Sequence, residues 1–278
     1  MVGDAQAQGL VDRTAVGAAA VRAVHLLHDG EPKILRDEYA LPLIGWTTQQ
    51  LADVAQEMAR LGRQTSAWVS RSRFAEDRLV AARTRGVCQY VILGAGLDSF
   101  ALRHADTLDD LVVFEVDNPP MQTWKRRRVA ELDLPVPDGL RFVPCDFETA
   151  TLRDALAKAE FRSDAPAVVS WLGVTQYLTP DAVAETLRWA AGLAAGSEIV
   201  LTFVRPGPEA EEERKRLAAI GVRFDTFFTP DDMTAVVSEA GLRAEVLTPA
   251  QVDDLYFQNR SDGLRASRGE WLSVGRVV

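Results

Sequence analysis

The sequence predicts an α/β fold, a doubly wound and mostly parallel sheet of seven strands with a helical extension at its N-terminus. Five continuous apolar runs alternate with helical patterns between residues 88 and 204. Runs of this kind indicate strands that are buried on both faces, as in a parallel sheet. Two shorter runs near the C-terminus predict an antiparallel pair at the sheet edge. The first 85 residues have helical patterns and no convincing strand.

The N-terminal extension is predicted to contain four helical pieces, at 14–28, 37–43, 47–60 and about 65–84. Thr47 suits an N-cap because its hydroxyl can accept a hydrogen bond from the first helical turn. We therefore divide the chain into a helical extension or lid at 1–85 and a sheet domain at 86–278, joined in one integrated fold. A lid would exclude water from a site beneath it and strengthen the electrostatic interactions there.

The sheet domain is predicted from its apolar runs in chain order. The seven strands are expected at 88–93, 111–116, 141–144, 165–171, 198–204, Arg243–Leu247 and 271–277. The helices between and after them are expected at 119–132, 149–160, 180–194, 209–220 and 230–240. Thr229 and Pro230 suit the N-cap and first position of the last of these helices.

Charge and cysteine content narrow the partners. The chain of 278 residues has 31 basic and 40 acidic side chains, a net charge of −9, which argues against nucleic acid or an anionic membrane as a partner. Its two cysteines, Cys88 and Cys145, form no Cys-x-x-Cys pair, and no apolar run has transmembrane length. We expect a cytoplasmic monomer or homodimer. No metal site is predicted, because the few His and Cys residues lack ligand spacing.

A glycine turn, Gly94-Ala95-Gly96, follows the first predicted strand. Its glycines allow the backbone to approach a ligand closely, and the helix after the turn would offer N–H groups to an anion. A dinucleotide fingerprint needs a third small residue where Ser99 stands, and Asp98 would repel a pyrophosphate. A nicotinamide dehydrogenase is therefore disfavoured, whereas a sulfonium nucleoside with an ammonium group tolerates the acid.

Polar residues at the ends of the other strands supply partners for a nucleoside. Glu115 and Asp117 alternate with apolar residues, so both should face one side of the second strand, with Asp117 as the better ribose ligand. Asp146 can accept from an adenine amino group while Phe147 packs on the ring, although Asp146 also suits an N-cap. Trp171 begins the aromatic loop after the fourth strand, where a second substrate would meet the nucleoside.

These motifs resemble the bacterial branch of the leucine carboxyl methyltransferase family. The resemblance rests on LGAGLDSFALR, FEVDNPPMQTWKRRR, VPCDFE and WLGVTQYLTP, and extends to VRAVHLL, RDEYALPLIG, SRSRFAED, TFFTPDDM and YFQNRSDGLR. It covers most of the chain from about Thr14 onwards. It implies a class I methyltransferase (Rossmann-like) fold, S-adenosyl-L-methionine as the cofactor, and O-methylation of a carboxylate on a small molecule, since similar bacterial members include polyketide carboxyl methyltransferases.

The resemblance also implies roles for individual residues. The glycine turn would line the cofactor, Asp117 would hold its ribose, and Asp146 with Phe147 would flank its adenine. Arg71 matches the arginine that reaches the methionyl carboxylate. Arg73 is a close second, and Arg22 stands near the place of another basic residue in that role. The chain departs from the family at Leu172, where many members carry Glu.

The histidine count favours a carboxylate acceptor. A carboxylate is already ionised at neutral pH and needs no general base, whereas a hydroxyl usually does. None of the three histidines, His25, His28 and His104, lies at the end of the fourth or fifth strand. An Asp, a Glu or Tyr177 could serve as the base instead. The candidates for orienting the acceptor are Tyr177, Arg205, Tyr256 and Arg260. Methylation at hydroxyl, nitrogen or carbon, and a non-catalytic nucleoside-binding protein, remain alternatives.

Overall fold

A computed structural model describes residues 13–107, 110–145 and 151–278. Its central feature is a sheet of seven strands in the order β3-β2-β1-β4-β5-β7-β6. The strands are β1 Gln89–Leu93, β2 Val112–Asp117, β3 Leu140–Pro144, β4 Val168–Trp171, β5 Glu198–Val204, β6 Arg243–Leu247 and β7 Glu270–Arg276. Each predicted strand is present, β5 and β6 with the predicted bounds and the others with ends at most three residues away.

The strand order confirms the doubly wound sheet. Strands β1 to β5 are parallel, and β7 pairs antiparallel with both β5 and β6. The chain runs from β1 outwards to β3 and then returns to place β4 on the other side of β1. Ligands of open α/β sheets bind at such a switch point, outside the carboxyl ends of the strands. The site is therefore sought beyond the ends of β1, β2 and β4.

Eleven α-helices surround the sheet in the described ranges. They are α1 Arg13–His28, α2 Ala40–Ile44, α3 Thr48–Arg60, α4 Ser66–Arg83, α5 Phe100–Arg103, α6 Pro119–Glu131, α7 Leu152–Lys158, α8 Pro180–Ala191, α9 Pro208–Ala218, α10 Pro230–Glu239 and α11 Pro249–Tyr256. None of these helices combines the length and apolar character that crossing a bilayer requires.

Helix starts follow the caps written in the sequence. Thr47 accepts from the backbone N–H of Gln50, whose side chain accepts in return from the N-cap backbone, and this places the start of α3 as predicted. The helices with predicted bounds are all present, with ends at most three residues from those predicted; α2, for example, begins at Ala40 and not at Asp37. Helix α11 was not predicted, although Thr248 forms the same capping box.

The sheet is covered on both faces by apolar side chains. On one face Trp171 and Phe203 pack with Val183 of α8 and Met233 of α10. On the other face α4 and α11 pack on the sheet, with contacts among Val69, Phe74, Val200, Val252 and Leu272. Helix α4 of the N-terminal extension is therefore one of the layers covering the sheet. The boundary at 85/86 and the function of the extension as a lid stay predictions.

Candidate functional site

The glycine turn after β1 lies between the N-terminal helix and the loop after β4. Gly94 and Gly96 have φ angles of +67° and +49°, a region that favours glycine. A Cβ on Gly94 would lie 2.5 Å from Cγ2 of Val174, and one on Gly96 would lie 3.0 Å from Cβ of Ala15. Both glycines are therefore needed for their backbone angles and for the close approach of neighbouring elements.

The carboxylate that ends β2 lies against this turn. Oδ2 of Asp117 accepts from the backbone N–H of Gly96 at 2.6 Å, and Oδ1 accepts from that of Asn118 at 2.7 Å. The fold thus brings together two motifs that are 21 residues apart in the sequence. Oδ1 of Asp98 accepts from the backbone N–H of Phe100, the first residue of the four-residue helix α5, at 2.7 Å. Ala95 is buried in the core beside this helix.

Glu115 supports the turn from within the core. It is only 1% exposed, and burial raises its pKa to about 7 despite the opposing effect of Lys125. The ammonium of Lys125 lies 2.5 Å from Oε2 of Glu115 and donates to the carbonyl of Asp98 at 2.6 Å. Asp117 thus contacts the turn directly, and Glu115 is connected to it through Lys125. Only Asp117 stands at the strand end.

Arg22 fastens α1 to the glycine turn. Its Nε donates to Oδ2 of Asp37 at 2.7 Å, and its Nη2 donates to the carbonyl of Leu97 at 2.7 Å. Ser99 donates to the other oxygen of Asp37 at 2.7 Å. Burial is the largest single effect on Asp37 and acts to raise its pKa, but the charges of Arg22 and Arg103 and the hydrogen bonds from Arg22 and Ser99 together lower it. The sequence did not point to Asp37, because its partners are distant along the chain.

Arg71 reaches the loop after β4 and Arg73 does not. The guanidinium of Arg71 donates from Nη1 to Oε1 of Glu270 at 2.7 Å and lies 5.8 Å from the ring centroid of Trp68. A Cβ on Gly173 would lie 2.6 Å from both of its terminal nitrogens. The more exposed Arg73 instead pairs with Asp77 on its own helix at 2.7 Å.

The remaining predicted cofactor residues differ in their surroundings. The side chain of Trp171 is only 1% exposed and packs in the apolar core that covers one face of the sheet. Leu172, at the position where the family often has Glu, packs against the apolar cluster on the opposite face. Asp146 and Phe147 lie outside the described residues. Their assignment to the adenine stays a prediction.

Two of the four candidates for orienting an acceptor are engaged elsewhere. Arg260 forms an ion pair with Asp262 and donates hydrogen bonds to the carbonyls of Gly30 and Pro32, which holds the C-terminal segment against the segment after α1. The hydroxyl of Tyr256 donates to Asp77 at 2.8 Å and joins α11 to α4. These contacts place neither side chain at the ends of β4 and β5, so Arg260 and Tyr256 are not proposed as ligands of the acceptor.

The other two candidates lie at the carboxyl edge of the sheet. Tyr177 follows β4 and packs its ring on Phe224, with the centroids 5.7 Å apart. Arg205 follows β5, and its guanidinium lies 4.9 Å from the ring centroid of Trp271. Nε of Arg205 is buried with no hydrogen-bond partner among the described residues. This edge therefore presents an arginine beside aromatic rings.

The histidines are placed away from this edge. Nδ1 of His25 is 2.7 Å from Asp29, and its Nε2 accepts from the backbone N–H of Ile34 at 3.0 Å, so both ring nitrogens are engaged. The ring of His104 is tilted against that of Phe100 with the centroids 4.6 Å apart, and His28 is exposed at the end of α1. Within the described ranges, no three His, Cys, Asp or Glu side chains group as metal ligands.

Comparison with known proteins assigns this arrangement to a family. The model described as leucine carboxyl methyltransferase matches residues 15–191, which include the N-terminal helices, the glycine turn and the loop after β4. The chain belongs to this family. The resemblance seen in the sequence motifs is thereby confirmed.

The relatives of this chain are described with one cofactor. YktD of Bacillus subtilis, named as a candidate S-adenosyl-L-methionine-dependent methyltransferase, is 34% identical over 71% of this chain and 68% of its own length. A protein of Mycolicibacterium paratuberculosis with the same description is 32% identical over 85% of this chain and 78% of its own. The chain is an S-adenosyl-L-methionine-dependent methyltransferase.

Solved structures support the fold. A candidate methyltransferase from Thermobifida fusca superposes with a TM-score of 0.57 at 16% identity, covering 95% of this chain and 94% of its own. A protein of the DUF574 family from Streptomyces avermitilis gives a TM-score of 0.55 at 16% identity, covering 94% and 97%. At this identity the similarity concerns the fold alone, and it confirms the class I methyltransferase architecture.

Proposed function

We propose that this methyltransferase transfers the methyl group to a carboxylate oxygen of a small, secondary-metabolite-like molecule. The observation that carries the proposal is the chemistry of the carboxyl edge, where Arg205 and Tyr177 stand and no histidine is found among the described residues. An ionised carboxylate needs orientation and no proton removal, so an arginine and a phenol are adequate partners. A hydroxyl acceptor would usually need a base at the same place.

The residues around the glycine turn fit the cofactor. Gly94 and Gly96 would line it without side chains in the way, and Asp117 would accept from the ribose hydroxyls. Arg71, beside Gly173, would bind the methionyl carboxylate through charge-assisted hydrogen bonds. S-Adenosyl-L-methionine, when bound, supplies an electrophilic methyl group on its sulfonium. The protein's contribution is alignment and exclusion of water, to which the helices at 13–83 would contribute as a lid.

Arg205 is the residue that we propose holds the acceptor carboxylate. Its guanidinium is planar and suits two-point binding of a carboxylate, and the ring of Trp271 limits the directions in which it can point. The buried, unbonded Nε supports this role, because a buried donor without an acceptor is costly and a ligand oxygen would satisfy it. Tyr177, on the loop after β4, would donate to the second carboxylate oxygen.

The proposal is tested by identifying the product. The protein is incubated with methyl-deuterated S-adenosyl-L-methionine and a panel of small carboxylic acids, matched with the corresponding alcohols and amides, and products are analysed by mass spectrometry before and after mild alkaline treatment. A methyl ester gains the labelled methyl group and loses it in alkali. Label that survives alkali would show ether, amine or carbon methylation and refute the ester proposal.

A variant assigns the orienting residue. Arg205→Gln should raise KM for the carboxylic acid strongly while leaving the Kd of S-adenosylhomocysteine unchanged. The exposed Arg243→Gln is the matched control, since it also removes one strand-end arginine. Equal kinetic effects of the two substitutions would exclude Arg205 as the acceptor ligand.

The cytoplasmic location expected from the cysteine content stays a prediction.

A further inference from the structure

The guanidinium of Arg71 is held on three sides. One terminal nitrogen donates to Glu270, the ring of Trp68 lies near one face, and the backbone of Gly173 approaches so closely that no side chain fits between them. Arg71 and Glu270 side chains are 13% and 15% exposed, so the pair is largely withdrawn from water without being sealed in the core. Such a pair interacts more strongly than an exposed one.

The same guanidinium keeps most of its donors free. An arginine has five N–H groups, and in the described ranges the bond to Glu270 is the one protein hydrogen bond that Arg71 makes. None of its nitrogens is a buried donor without a partner, so these groups remain open to the surroundings. The guanidinium lies against Gly173 of the loop after β4, and the next residue of that loop, Val174, contacts Gly94. A second carboxylate can therefore bind Arg71 while Glu270 stays in place.

We propose that Glu270 is a positioning residue, which holds Arg71 so that its free edge binds the carboxylate of the cofactor's methionyl group. The inference rests on the proposed assignment of that carboxylate to Arg71. Glu270 is 199 residues away in the sequence and begins β7, where it pairs with Val204 at the carboxyl end of β5. Its backbone N–H donates to Oγ of Ser267 at 3.1 Å, which fixes the start of the strand.

The physical reason is the cost of ordering a long side chain. A free arginine occupies many rotamers, and a ligand that binds it must restrict them at the expense of affinity. Glu270 imposes that restriction before the ligand arrives. The alternative is that the carboxylate of Glu270 takes the place of the ligand's carboxylate and competes with it. The two possibilities predict opposite changes in affinity when Glu270 loses its charge.

The experiment compares two ligands that differ in the carboxylate. Calorimetry measures the Kd of S-adenosylhomocysteine and of methylthioadenosine, which lacks the amino-acid portion, for the full chain and for Glu270→Gln. We expect the variant to weaken S-adenosylhomocysteine by about tenfold, the upper end for one ordered side chain, and to leave methylthioadenosine unchanged. Glu245→Gln is the control, because it removes the carboxylate from another ion pair of β7, the one that Glu245 of β6 forms with Arg276 at 2.6 Å.

A double variant tests whether Glu270 acts through Arg71. The Kd of S-adenosylhomocysteine should be the same for Arg71→Ala and for Arg71→Ala with Glu270→Gln, and Glu270→Asp should recover part of the affinity. Tighter binding by Glu270→Gln would show competition, and equal weakening of both ligands would show a structural role; either result overturns the proposal. These measurements use no acceptor, so they are independent of whether the product is an ester.

Discussion

Placing a methyl group on Gly94 tests the geometry of the glycine turn. Gly94 has φ +67°, and a Cβ there would lie 2.5 Å from Cγ2 of Val174. Gly62 provides a matched control, since its φ is +63° and a Cβ there would meet nothing within 4 Å. Gly94→Ala and Gly62→Ala therefore impose the same backbone strain, and only the first adds a steric clash.

The expected magnitudes follow from this difference. A residue with a Cβ in the left-handed region costs about 1–2 kcal/mol of stability, and this applies to both variants. Overpacking at Gly94 should add about 1–3 kcal/mol, because the β-branched side chain of Val174 cannot turn aside freely. We therefore expect a free energy of unfolding lowered by about 1–2 kcal/mol in Gly62→Ala and by about 2–5 kcal/mol in Gly94→Ala.

Urea unfolding measures both losses, and calorimetry with S-adenosylhomocysteine measures binding. The double variant Gly94→Ala with Val174→Ala should recover the steric part of the stability. It should not recover binding, since the added methyl group still stands in the turn where the backbone must approach the cofactor. If Gly94→Ala costs no more stability than Gly62→Ala, the close contact between the turn and the loop after β4 is wrong.

Three further predictions concern carboxylates. Asp37→Asn removes the charge that Arg22 pairs with, and should lower the free energy of unfolding by about 3 kcal/mol at neutral pH. Because the pKa of Asp37 is lowered in the fold, the difference in stability between the variant and the wild type should shrink as the pH falls below the ordinary carboxyl range. The pKa of Glu115 is raised from 4.5 to about 7, so its ionisation destabilises the fold as the pH rises through that interval. Because Lys125 compensates the charge of the ionised carboxylate, Lys125→Met should cost more stability at about pH 8 than at about pH 5 in urea titrations. An equal cost at both pH values would contradict a charged Glu115. Asp117→Asn should raise the Kd of both S-adenosylhomocysteine and methylthioadenosine by about tenfold, since both contain the ribose; selective weakening of one would exclude Asp117 as the ribose ligand.

Local pattern was sufficient for much of the fold. The apolar runs located the inner strands, because strands such as β1 and β4 are buried along their whole length. The edge strand β6 is only partly buried, and its shorter run was still sufficient to locate it. Capping residues placed the starts of α3 and α10 for the same local reason. Helix α11 was missed although Thr248 and Pro249 carry the same signal as Thr229 and Pro230, so that error was one of interpretation.

The candidate site was predictable only where its residues follow strands. The glycine turn and Asp117 stand directly after β1 and at the end of β2, and parallel strands bring those ends to one edge. The contacts of the arginines had no such signal. The bonds of Arg71 to Glu270 and of Arg260 to Gly30 join segments 199 and 230 residues apart, and nothing local distinguishes these arginines from surface ones.

The sequence by itself determined the fold class through its apolar runs, and the family and the cofactor through the motifs that it shares with the leucine carboxyl methyltransferase family. It also located the glycine turn, where we propose that the cofactor binds. The tertiary structure alone decided which polar side chains pair with one another. It placed Arg22 against Asp37, Glu115 beneath the turn, and Arg71 between Gly173 and Glu270. Those pairings depend on which distant elements pack together, and that is a property of the whole folded chain.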